Sequence, residues 1–168
     1  MGRGVAPGSG VLAMNLAVLK KTRRAPEVGD IFVMRPPDGQ FLFGRVIDAN
    51  AEIGPMKDCI LIYVYRARAS QKVPVPELRR GQLLVPPMMT NKRPWTMGYF
   101  EHVENRPLSV MDRLRQHCFK DTRGWYFDQV GTRLAGPVEP VGSWGLHSFR
   151  TIDDEISKAL GIPLSPEG

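Results

Sequence analysis

The stretch "DIFVMRPPDGQFLFGRVI" (30–47) constrains the fold more than any other part of the chain. Two apolar runs flank Pro36-Pro37-Asp38-Gly39. Proline pre-sets one φ angle and Asp-Gly supplies a position that accepts positive φ, so residues 29–49 read as a β-hairpin. Gly44, inside the returning run, predicts a bulge or a bend in a curled sheet. "CILIYVYRA" (59–67) is apolar almost throughout its first half and predicts a central strand covered on both faces. The 15 prolines and 17 glycines are scattered as punctuation, which suits short strands joined by many turns.

"SQKVPVPELRRGQ" (70–82) reads as a loop, with Pro74 and Pro76 blocking ladder pairing. "LLVPP" (83–87) and "TMGYFEHV" (96–103) predict two further strands. In "RPLSVMDRLRQHCF" (106–119), Ser109 and Asp112 form a capping box, and Val110, Leu114 and Cys118 recur every four residues, which predicts an amphipathic helix. "GWYFDQVGTRL" (124–134) returns to strand character around a turn at Gly131. A last helix is expected from a Thr151/Asp154 capping box, with Ile152, Ile156 and Leu160 on one face, Asp153, Asp154 and Glu155 in the first turn, and Gly161 and Pro163 as the stop. The fold class is therefore mainly β with α+β character. It is a curled antiparallel sheet of about five to seven strands, or an SH3-like partly open barrel, with one or two short helices.

At 168 residues the chain fits one domain, expected over 26–168, preceded by a flexible extension over 1–25. "VLAMNLAVL" (11–19) is too short to span a bilayer, and its charge cluster "KKTRR" (20–24) follows it where a signal peptide would carry charge in front. The reading is neither exported nor membrane-inserted, with Met14 as an alternative start. Cys59 and Cys118 read as buried free thiols, in keeping with a reducing cytoplasm. Trp125, Tyr126 and Trp144 read as core.

No metal, cofactor or catalytic constellation is expected. His117 and Cys118 are adjacent and diverge on a helix, Asp153 and Asp154 are explained by helix capping, and the glycines near the start lack a phosphate-binding ending. Binding remains. The net charge is +6, and basic pairs stand at Arg66 and Arg68, Arg79 and Arg80, and Lys92 and Arg93. The last pair lies in "TNKRPWTMGYF" (90–100), beside Trp95 and Tyr99. Those rings can serve a protein interface, a stacking platform for nucleic-acid bases, or the core. In a strand from Trp95, one of Trp95 and Phe100 is core, and Asn91 makes a turn hydrogen bond.

Taken in order, several segments resemble the immunity protein 26 family of bacterial polymorphic-toxin systems, from about Val28 to Leu164. The similarity is carried by Gly29, Asp30, Ile31 and Phe32, then Phe43, Gly44, Arg45 and Val46, then Pro86, Pro87, Asn91, Trp95, Gly98, Tyr99 and Phe100. The resemblance implies a predominantly β protein without activity of its own. Such a protein is encoded beside a toxin and protects its cell by binding the toxin's catalytic domain. Arg66, Arg68, Arg79, Arg80, Lys92, Arg93, Trp95 and Tyr99 are the candidate partner-binding residues, with residues 67–80 the better place for cognate specificity. The expected partner is a cognate toxin in the cytoplasm, without membrane. A small β-barrel nucleic-acid-binding module is the alternative, and it needs the charges and exposed rings on one continuous face.

Overall fold

The computed structural model describes residues 14–166. The predicted hairpin forms β1 (Asp30–Met34) and β2 (Phe41–Ile53), followed by β3 (Met56–Ala69) and β4 (Leu83–Thr90). A one-turn helix α1 (Arg93–Thr96) leads to β5 (Glu101–Asn105). Five short strands come next: β6 (Cys118–Lys120), β7 (Tyr126–Phe127), β8 (Arg133–Leu134), β9 (Val141–Ser143) and β10 (Leu146–His147). Helix α2 (Phe149–Leu160) closes the order. Among the described residues these strands make two sheets, β10-β4-β3-β2-β1-β5 and β8-β7-β6-β9.

The mixed α+β class agrees with the reading of the sequence, and the barrel does not. Strands β6–β9 build a separate sheet, and β10 adds to the β4 edge without pairing with β5 at the other, so neither sheet closes. Nor is the pairing wholly antiparallel, because β10 lies parallel to β4 and β9 parallel to β6. β3 is central as expected, and its alternation sends side chains to two cores. Ile60, Ile62 and Val64 face α1, α2 and Leu16, while Leu61, Tyr63 and Tyr65 face the small sheet and the segment that leads into it.

The N-cap of helix α2 falls three residues before the expected one. Ser148 is the N-cap and accepts the Thr151 N–H, and Gly161 ends the helix in the left-handed region at φ +73°. Ile152 and Ile156 are buried as predicted. Asp153, expected to serve the helix dipole, is instead fully buried and accepts the Leu16 N–H at 2.7 Å and the Asn15 N–H at 3.2 Å. Together with hydrogen bonds from Ala17 N–H to the Arg35 carbonyl and from Leu19 N–H to the Gly98 carbonyl, this seats residues 14–19 along the domain. Residues 1–13 of the expected extension lie outside the described residues.

Gly44 sits where the β2–β3 register shifts, opposite Phe32 on β1. The Phe32 ring lies directly over it, and a Cβ at Gly44 would approach Phe32 Cζ to 2.3 Å. Phe32 has nowhere to retreat, since it stacks on Phe100 at 4.3 Å and meets the Trp95 ring edge-on at 5.1 Å. Gly44→Ala should therefore destabilise the protein by about 1–3 kcal/mol through overpacking. A urea midpoint unchanged from wild type would contradict this packing.

Candidate functional site

The residues that carry the family resemblance hold the fold together. Gly29, at φ +92°, donates no side chain to a spot where a Cβ would lie 2.7 Å from the Arg106 carbonyl oxygen. Its own carbonyl accepts the Arg106 N–H at 3.0 Å. Asp30 is fully buried and accepts from Arg24, the Glu27 N–H and Asn105. Burial pushes its carboxyl up, but these hydrogen bonds and the Arg24 charge outweigh burial and hold it below its ordinary value. Arg45 is also buried. Its guanidinium donates to the Arg106 carbonyl at 2.6 Å and lies 3.3 Å from an Asp112 carboxylate oxygen.

These contacts, with two more from β3 and the 70–82 loop, pin residues 105–116 across the sheet. The Tyr63 hydroxyl accepts the Leu114 N–H at 2.9 Å and lies 2.6 Å from His117 Nε2, and burial pushes its own pKa up to about 12. Arg80 donates to the carbonyls of Val110 and Arg113. The expected helix does not form for this reason. Continuing it from Val110 would need the Leu114 N–H to reach the Val110 carbonyl and the Arg113 carbonyl to accept from residue 117. Tyr63 and Arg80 take both groups. The Ser109/Asp112 capping box is present, but it starts only a 3-10 turn over Val110–Asp112.

Without the helix, Val110 and Met111 point outward. They are 84% and 69% exposed, although Val110 was expected on a buried face. Single exposed apolar residues are ordinary, and here two stand side by side on a pinned turn. Clefts of about 520 Å³ and 290 Å³ flank them, lined by Glu77, Arg79, Arg80 and Asp112 on one side, with Arg79 paired to Glu77 at 2.9 Å, and by Arg80, Arg113, Leu114 and Arg115 on the other. The result is an apolar tip inside a rim of four arginines and two carboxylates, basic in net charge. Nothing local in the sequence announced it, because Tyr63 and Arg80 lie 51 and 33 residues from the groups they capture.

The other predicted site residues fall elsewhere. Trp95 and Tyr99 are 1% and 7% exposed, and Phe100 is buried with them, so both ends of the expected strand are core. Of the expected strand only the end forms, as β5 from Glu101, and its start is the last residue of the one-turn α1, with Asn91 accepting the Arg93 N–H as a turn bond. Lys92 and Arg93 are exposed on α1, where Arg93 lies over the Phe149 ring at 5.8 Å. Arg66 and Arg68 are exposed and continue the β3 alternation on the α2 side, Arg68 paired with Asp38. Only Arg79 and Arg80 join the tip. The charges and rings thus do not form the single continuous face that nucleic-acid binding was expected to need. Cys59 and Cys118 are free and buried, and no metal-like cluster of three His, Cys, Asp or Glu occurs among the described residues. No helix there is long and apolar enough to cross a membrane.

The fold is an unclosed two-sheet α+β domain that presents a pinned surface loop. A family model for immunity protein 26 matches residues 27–124, more than half of the chain, and the chain belongs to that family. The match takes in every residue that pins the loop apart from Arg24. No curated protein and no solved structure matches it. Membership suggests an immunity-type role.

Burial holds His117 below the ordinary histidine value of 6.5, against the pull of Gln129, and does the same to His147 against Glu155. A depressed folded value means that the unfolded chain takes up protons first. The stabilisation is complete above about pH 6.5 and declines as pH falls through the folded values. Asp30 and Asp112 add a second loss below their ordinary 3.8. Urea unfolding should show a constant midpoint above about pH 7 that drops steadily toward about pH 5. A flat midpoint over that interval would contradict the buried, neutral histidines.

Proposed function

We propose that this chain is an immunity protein that binds a cognate bacterial toxin in the cytoplasm and neutralises it by covering its toxin domain. Val110 and Met111 form the centre of the contact, and Arg79, Arg113 and Arg115 form its rim. The observation that carries this reading is the combination of 84% and 69% exposure with a backbone anchored from both sides by partly buried hydrogen bonds. A partner meeting such a loop loses little conformational freedom on the immunity side, which favours affinity. The net charge of +6 and the basic rim select an acidic toxin surface. Family membership supports the reading.

The test is co-expression and pull-down against the products of neighbouring reading frames. One neighbour should be bound and its toxicity suppressed. Met111→Glu should weaken that complex about tenfold or more while leaving stability within about 0.5 kcal/mol, since the side chain is exposed. Arg79→Glu should slow association at low salt more than at high salt. Arg80 is not a clean probe, because it also holds the loop. Wild-type affinity in Met111→Glu and Arg79→Glu together would overturn this face. Salt-sensitive nucleic-acid binding with no protein partner would overturn the immunity reading itself.

A further inference from the structure

The small sheet carries a second exposed feature, unrelated to the loop's anchors. At the β6–β7 turn, Asp121 accepts the backbone N–H groups of Arg123 and Trp125 at 2.9 Å each and also holds the Arg123 guanidinium, with N···O distances of 2.8–2.9 Å. The turn places the Trp125 ring between two arginines. The guanidinium carbon of Arg123 is 3.8 Å from the ring centroid and that of Arg133, on β8, is 3.7 Å away. Two planar cations cannot share one ring face at those distances without overlapping, so they take opposite faces. Trp125 is still 38% exposed, where the sequence suggested core. Arg133 pairs with no carboxylate among the described residues, and Lys120 stands exposed on the neighbouring strand.

We infer that Arg123, Trp125 and Arg133 form a docking element for carboxylate side chains on an acidic protein partner. The geometry fits that chemistry better than nucleic acid. Base stacking needs a free ring face, and both faces of Trp125 are occupied by guanidiniums. What remains open is the N–H edge of Arg133, a planar donor suited to a carboxylate. Stacking on the indole already restricts both arginine side chains, so little freedom is left to lose on binding. The inference rests on the proposed function only in taking the partner to be a protein. The element sits on the same side of the large sheet as the Val110–Met111 loop, because the small sheet and that loop cover one core together.

The test uses the full chain and hexaglutamate as probe, so it does not depend on finding the toxin. Titration followed by NMR should move the Trp125 indole N–H and the Arg133 Nε–H together, and raised salt should reverse the shift. Arg133→Glu should weaken the hexaglutamate response about tenfold, and Arg133→Lys should restore only part of it. Trp125→Ala, whose fold is checked by the unchanged spectrum of the large sheet, should abolish it. No movement at Trp125, or an equal movement with an uncharged glycine–serine peptide, would overturn the inference. A stronger response to oligothymidylate than to hexaglutamate would overturn it in favour of nucleic acid. If a toxin is bound and Arg133→Glu leaves its affinity unchanged, the inference fails while the immunity reading stands.

Discussion

Burying the Arg45 guanidinium is the constraint on which the rest of the architecture depends. A charge removed from water must find partners, and removing one partner of a buried pair typically costs about 3–5 kcal/mol. Arg45 finds its partners in the Arg106 carbonyl and the Asp112 carboxylate, so segment 106–112 must cross the sheet at that point. The residue before it constrains the opposite face. Gly44 leaves the space that Phe32 fills, and Phe32 in turn seats Trp95 and Phe100. One dipeptide of β2 thus governs the aromatic core on one side and the pinned loop on the other.

Two kinds of surface follow from this arrangement. On the helix side, the conspicuous rings are consumed by the core, and the basic residues are scattered between α1 and the end of β3. On the other side, side-chain hydrogen bonds from Tyr63 and Arg80 substitute for helix formation and leave an apolar tip among arginines. The small sheet adds a further basic element to that side. The division suits the proposed binding role: the anchoring side chains lie beneath the sheet surface, and the apolar tip and the arginines are held out on turns.

Local signals in the sequence were legible where local physics decides the outcome. The hairpin around Pro36–Gly39, the central β3 and the buried face of α2 all follow from turn chemistry and periodicity. Reading failed where distant side chains intervene. Val110, Leu114 and Cys118 have helical spacing, yet the backbone groups a helix needs are taken by residues far away in the chain. Trp125 has the composition of a core residue, and only the convergence of Arg123 and Arg133 shows why it stays at the surface. Barrel closure failed for a related reason, since the pairing of β6–β9 with one another depends on Phe119 and Trp144 packing over the large sheet. Of the expected site residues, Arg79 and Arg80, singled out by charge, stand beside the proposed contact. Val110 and Met111 were not singled out, because exposure of an apolar side chain leaves no mark in a periodic pattern.

The most direct measurement is amide hydrogen exchange on the chain with and without the toxin it is proposed to bind. Slowed exchange on binding should concentrate at residues 109–115 and 79–82 and leave residues 92–97 unchanged. Protection on α1 and the α2 face, with the pinned loop exchanging as it does in the free protein, would contradict the account.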